Sequence, residues 1–180
     1  MKVPNLNRSG LENGRASLTL RGLAFSLGLL TNLGVLAAEV GEKAPSFALV
    51  SLTRNETVSL DDFKGKVVIL DFWASWCGPC IQEMPALDKL AQKYQMLGVQ
   101  VWGVNVENDS KAALAYLNKV PVGFPVLFDV DNSVSKAFQV EAMPTTVIID
   151  KNGAVRSVHR GYQPGYEKKY ENDIKGLLRE

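Results

Sequence analysis

Histidine and cysteine are scarce in this sequence: 180 residues contain one histidine, His159, and two cysteines, Cys77 and Cys80. A structural zinc site commonly takes four Cys or His ligands, and three such residues, His159 far along the chain from the cysteines, weigh against one. Charge of one sign is lacking too. The net charge is +1, and nothing in that balance asks for a nucleic-acid partner. No repeat or low-complexity tract interrupts the chain. Apolar residues make up 46% and charged residues 22%, a globular composition that excludes wholesale disorder.

Long apolar runs are limited to one. Residues 22–38, "GLAFSLGLLTNLGVLAA", carry no charge and follow Lys2, Arg8, Arg15 and Arg21, opposed only by Glu12. A basic segment, an apolar segment and then small residues is the layout of a secretory signal. Seventeen residues lie at the lower edge of what spans a bilayer, so an uncleaved N-terminal anchor is the other reading. Either one sends residues 39–180 across a membrane, to the periplasm in a bacterium. No cysteine closes the run for lipid attachment, and no arginine pair marks a twin-arginine signal.

The remainder alternates between strand and helix patterns. "KVVILDFW" (66–73) is nearly continuous in Val, Ile, Leu, Phe and Trp, as in a strand buried on both faces. From Gly78, apolar residues at Ile81, Met84, Leu87, Leu90, Ala91, Tyr94 and Leu97 mark a helix that Gly98 ends. Pro85 inside it predicts a kink near the second turn. Residues 59–66 read as a turn and 99–106 as a strand. A helix over 111–120, capped by Asp109 or Ser110, buries Ala112, Ala113, Tyr116, Leu117 and Val120. Then follow a strand (124–129), a short helix (133–138), a strand (145–150), an Asn-Gly hairpin turn at 151–153, a returning strand (154–161) and a helix (165–178). This order predicts an α/β domain with helices on both faces of the sheet and an antiparallel edge.

The cysteine pair stands at the strand-to-helix junction, in "FWASWCGPCIQEMP". As a structural staple it closes a very short loop, where the chain-entropy gain is only about 1–2 kcal/mol. Redox chemistry suits the position better. The N-terminus of a helix offers unpaired N–H groups and a positive dipole end, which favour the thiolate that attacks disulfides. Cys80, one turn along, is placed to resolve a mixed disulfide. Pro79 at an early helical position costs no hydrogen bond.

The segment "DFWASWCGPC" closely resembles the active-site segment of thioredoxins. "GEKAPSFAL", "CGPCIQEMP", "FPVLFD" and "MPTTVIIDKNG" together resemble the exported TlpA/ResA branch of that superfamily, over roughly residues 40–178. The resemblance implies a thioredoxin fold, a central mixed sheet flanked by helices, with a helix-and-strand insertion at about 107–130. It implies thiol–disulfide exchange, with Cys77 attacking and Cys80 resolving, and requires no cofactor. Pro144 matches the superfamily's cis-proline, and Met143 before it would offer backbone to an incoming peptide. Trp76, Gly78 and Pro79 would complete the docking surface, with Trp73 as packing beneath.

Asp71 matches the thioredoxin aspartate that exchanges a proton with the resolving thiol, where many TlpA/ResA members carry asparagine. Glu83 matches an acidic residue that tunes the thiols in that branch; the plain alternative is a solvated first-turn glutamate. His159 reads as structural. By the same resemblance, clients are proteins with disulfides or cysteine pairs, among them the haem-binding site of apocytochrome c, and a membrane thiol–disulfide donor recharges the pair. A peroxiredoxin-like peroxidase, suggested by "GEKAPSFAL", and a copper- or haem-handling binding protein are the competing classes.

Overall fold

The computed structural model describes residues 38–51 and 53–180. The expected signal or anchor, residues 1–38, therefore lies outside the described residues except for Ala38. Among the described residues, no helix is long and apolar enough to cross a membrane.

Seven strands of the described residues form one mixed sheet: β1 (Ala48–Ser51), β2 (Glu56–Ser59), β3 (Val67–Trp73), β4 (Val99–Asn105), β5 (Val126–Phe128), β6 (Thr145–Ile149) and β7 (Val155–Arg160). Their order across the sheet is β2-β1-β5-β4-β3-β6-β7. Strands β3, β4 and β5 are parallel, while β6 runs antiparallel to β3 and β7 to β6. Among the described residues four α-helices flank it: α1 (Gly78–Tyr94), α2 (Lys111–Lys119), α3 (Ser133–Ala137) and α4 (Glu167–Leu177).

All seven residues of β3 are buried, because both faces of the sheet are covered. Alternation along the strand splits them between two cores. Val67, Ile69 and Trp73 join Leu87 of α1, Leu117 of α2 and Ile174 of α4. Val68, Leu70 and Phe72 join Trp102, Val134 and Phe138 on the other face. Asp71 falls in the first register, on the α1 side, where a charge has no water to meet.

Several expectations are corrected. Residues 59–66 are more than a turn: Leu60–Phe63 form a 3₁₀ helix. Ser59 Oγ accepts from the Asp61 N–H and Asp62 Oδ2 from the Ser59 N–H, so two short acceptors close its first turn. Strand β2 had no counterpart in the sequence reading; its four residues pair antiparallel with β1, and Val58, its one apolar residue, is buried. In α2 only Ala113 and Leu117 are buried, while Ala112 and Val120 are exposed. Its first N–H is taken by Asp109 Oδ1 at 3.0 Å, not by Ser110. At the β6–β7 turn only Gly153 has positive φ, and Asp150 Oδ1 shapes the turn by accepting from the Asn152 and Ala154 N–H groups.

Candidate active site

Cys77 is the N-cap of α1, with extended backbone, and its Sγ accepts from the Cys80 N–H at 3.2 Å. Its own N–H donates to Ala74 O, closing a tight turn out of β3. The two sulfurs are joined as a disulfide. Cys77 is 5% exposed and Cys80 fully buried, so only the first sulfur meets an incoming partner. Gly78 and Pro79 are exposed beside it, and Trp76 is 70% exposed. Trp73, three residues earlier, is fully buried among the α1-side core, as expected for packing beneath the pair.

The Met143–Pro144 peptide is cis. Pro144 is buried, and half-buried Met143 packs against the cluster that contains Cys77 and Cys80. Pro144 O accepts from the Gly161 N–H at 2.7 Å, tying the start of β6 to the end of β7.

One helical turn after Cys80, α1 contributes Glu83 to a buried carboxyl pair. Asp71 on β3 and Glu83 on α1 are both fully buried, which rules out the solvated-glutamate reading of Glu83. Thr146, opposite Asp71 across the β3–β6 ladder, links them. Its hydroxyl oxygen is 2.9 Å from Glu83 Oε1, 3.4 Å from Asp71 Oδ1 and 3.4 Å from the Tyr170 hydroxyl. One hydroxyl donates one hydrogen, so Thr146 serves these acceptors by turns. Asp71 Oδ2 and Glu83 Oε2 have no partner.

Burial, with the Glu83 charge adding to it, holds Asp71 well above the usual carboxylate range despite the Thr146 bond. Burial also raises Glu83 to about 7, against the lowering effect of hydrogen bonds from Tyr170 and Thr146. Tyr170 is itself pushed up by burial and by the neighbouring Glu83. The site thus holds protons at pH values where exposed carboxyls have lost them. His159 stands at its edge, with Nε2 2.8 Å from Asp173 Oδ2 and its ring edge-on to Tyr170.

The structure therefore brings Cys77, Cys80, Asp71 and Glu83 onto the α1 side of β3, with Trp76, Gly78 and Pro79 exposed at the helix start. Sequence reasoning missed Thr146 and Tyr170. Thr146 sits in an apolar strand where threonine is common, and Tyr170 falls on a Tyr170–Ile174–Leu177 stripe that reads as core.

Residues 39–174 match the Redoxin family. The thiol-disulfide oxidoreductase ResA of Geobacillus kaustophilus is 38% identical over 125 residues, 69% of this chain and 71% of that protein. The thioredoxin-like protein YneN of Bacillus subtilis is 37% identical over 136 residues, 74% of this chain and 79% of that protein. A crystal structure from Chlorobium tepidum, assigned as the thiol:disulfide interchange protein DsbE, superposes with a TM-score of 0.74 at 41% identity, covering 78% of this chain and 98% of that one. With its cysteine pair at the head of α1 in a thioredoxin-type sheet, the chain belongs to the Redoxin family, as a ResA-like member of the thioredoxin superfamily.

Proposed function

We propose that this thiol–disulfide oxidoreductase works as a reductase on disulfides of client proteins, on the far side of a membrane from its synthesis. One observation carries the reading: a barely exposed sulfur at a helix N-terminus, with its partner sulfur fully buried one helical turn before Glu83 of a proton-holding carboxyl pair. In the reduced protein the Cys77 thiolate attacks a client disulfide, forming a mixed disulfide and releasing one client thiolate. Cys80 then loses its proton to Asp71 and attacks Cys77 Sγ. The second client thiolate leaves, the client has gained two electrons, and the Cys77–Cys80 disulfide remains. An external dithiol, a membrane donor by family analogy, restores the pair. Trp76, Gly78, Pro79 and Met143 form the docking surface, with Pro144 behind it, and Glu83 sets how readily Asp71 gives up its proton.

The direction of electron flow rests on the Gly-Pro dipeptide between the cysteines, as in thioredoxin at ~−270 mV, against ~−120 mV for the oxidant DsbA. Export rests on the basic and apolar pattern of residues 1–38, and the apocytochrome c haem site, itself a cysteine pair, is the proposed client. The deciding measurement is the equilibrium potential of the pair in residues 39–180, titrated against thiol buffers. We expect a value below ~−230 mV. A value above ~−180 mV would make the protein an oxidant or isomerase and reverse the reading.

A further inference from the structure

The loop Ala74–Trp76, between β3 and α1, delivers both the exposed Trp76 and the attacking Cys77. Its backbone is held from outside the strand-helix unit. Glu107, just past the end of β4, accepts the Ser75 N–H at its Oε2 (2.8 Å) and the Ser75 hydroxyl at its Oε1 (2.9 Å). The buried Asn105 amide donates to the same Oε2 at 2.9 Å, and Asn105 Oδ1 accepts the Glu107 N–H at 3.2 Å. Asn105 Nδ2 and the Val106 N–H both reach Trp73 O, at 3.4 and 3.1 Å. Both carboxylate oxygens are thus spent on fixing one residue of the active-site loop, two positions before Cys77. A surface carboxylate left to water would have no reason to make three such bonds, each stronger for the acceptor's charge.

We propose that Glu107 is a positioning residue for the thiol exchange: by clamping Ser75 it keeps Cys77 Sγ at the α1 N-terminus, in reach of the Cys80 N–H, once the disulfide is opened. In the oxidised form the covalent bond holds Cys77 in place. In the reduced form only the loop and the helix cap do. The inference rests on the thiol–disulfide oxidoreductase reading. It also gives the segment after β4 a task, since Glu107 stands at its head and carries the clamp across to the cysteine loop.

Sign separates positioning from plain charge. A negative group near Cys77 raises the thiol pKa through space, so its removal by charge alone lowers that pKa. Loss of positioning takes the sulfur from the N–H groups and dipole that favour thiolate, and raises it. The experiment follows iodoacetamide alkylation of Cys77 against pH in the reduced protein, read by peptide mass, alongside the reaction of the reduced protein with oxidised glutathione. In Glu107→Ala we expect a higher apparent Cys77 pKa and an exchange rate near pH 7 about tenfold lower. Glu107→Gln, which keeps one acceptor oxygen, falls between, and Ser75→Ala, which keeps the backbone bond, shows a smaller shift of the same sign. If Glu107→Ala does not fold, these two variants decide by the same sign. An unchanged or lowered pKa overturns the clamp. Failure of the wild-type protein to exchange with any disulfide would instead overturn the oxidoreductase reading, while the alkylation profile still tests the clamp.

Discussion

Asp71 and Glu83 each bury a carboxyl with one oxygen unpartnered, a cost tolerated only where the proton is kept or used. For Glu83 the folded value is about 7 against 4.5 for an unburied glutamate. Below pH 4.5 the group is protonated in both states. Between 4.5 and 7 the unfolded chain ionises while the folded protein keeps its proton, so stability falls as pH rises through this window. The loss is on the order of 3 kcal/mol by pH 7, and Asp71, also raised, adds a loss of the same sign. Glu83→Gln should flatten much of this decline in urea-unfolding stability of the oxidised protein measured from pH 4 to 8. Asp71 bears on rate. Its base form accepts the Cys80 proton, so resolution of a preformed mixed disulfide should quicken as pH rises through the carboxyl pair's titration. In Asp71→Asn that rise should vanish and the rate near pH 7 drop by about 10²-fold, the usual scale of a positioned base. An unchanged rate at every pH would remove Asp71 from the mechanism. Cys77, Cys80 and Asp71 were legible as residues because each breaks its local pattern. Thr146, Tyr170 and Glu107 break none, and their roles come from partners 63, 24 and 32 positions away.

Elements with a strong period were legible in advance. β3 and α1 carry the site, and both follow from unbroken apolar patterning and the helix signals at Gly78 and Gly98. The β1–β2 hairpin was not, since two strands of four residues, the second with Val58 as its one apolar residue, are too short to show a hydrophobic period. Packing between elements is equally silent in the sequence. Gly103, in the middle of β4, is one case. A methyl there would stand 3.1 Å from Trp73 Nε1 and 3.2 Å from Phe124 Cε2, both rings buried. Gly103→Ala should therefore destabilise by roughly 1–3 kcal/mol through overpacking, measured by denaturant unfolding. Because Trp73 lies at the end of the strand leading to Cys77, the same variant should slow disulfide exchange. A neutral result would show that Trp73 can shift without disturbing the loop.

For the whole molecule, the redox state and the folding equilibrium are linked. A disulfide that stabilises the fold is harder to reduce; DsbA is a strong oxidant because its reduced form is the stabilised one. A reductase should show the opposite order. The oxidised protein is accordingly expected to withstand more urea than the reduced protein at pH 7, and the reverse order would agree with an oxidant. What the sequence determined by itself was the chemistry and its frame: two sulfurs one helical turn apart, after a doubly buried strand, in an alternating α/β chain with a basic and apolar N-terminal segment. Local patterns suffice there, because helix and strand periods and cap positions depend on near neighbours. Only the tertiary structure decided what surrounds the sulfurs. The order β4-β3-β6 sets Asn105 and Thr146 on either side of β3. Packing of α1 and α4 over that face then encloses Glu83 and Tyr170 with Asp71. Side-chain period says which face a residue occupies, but strand order and helix packing choose who meets it there, and those choices fix how the buried carboxyls hold their protons.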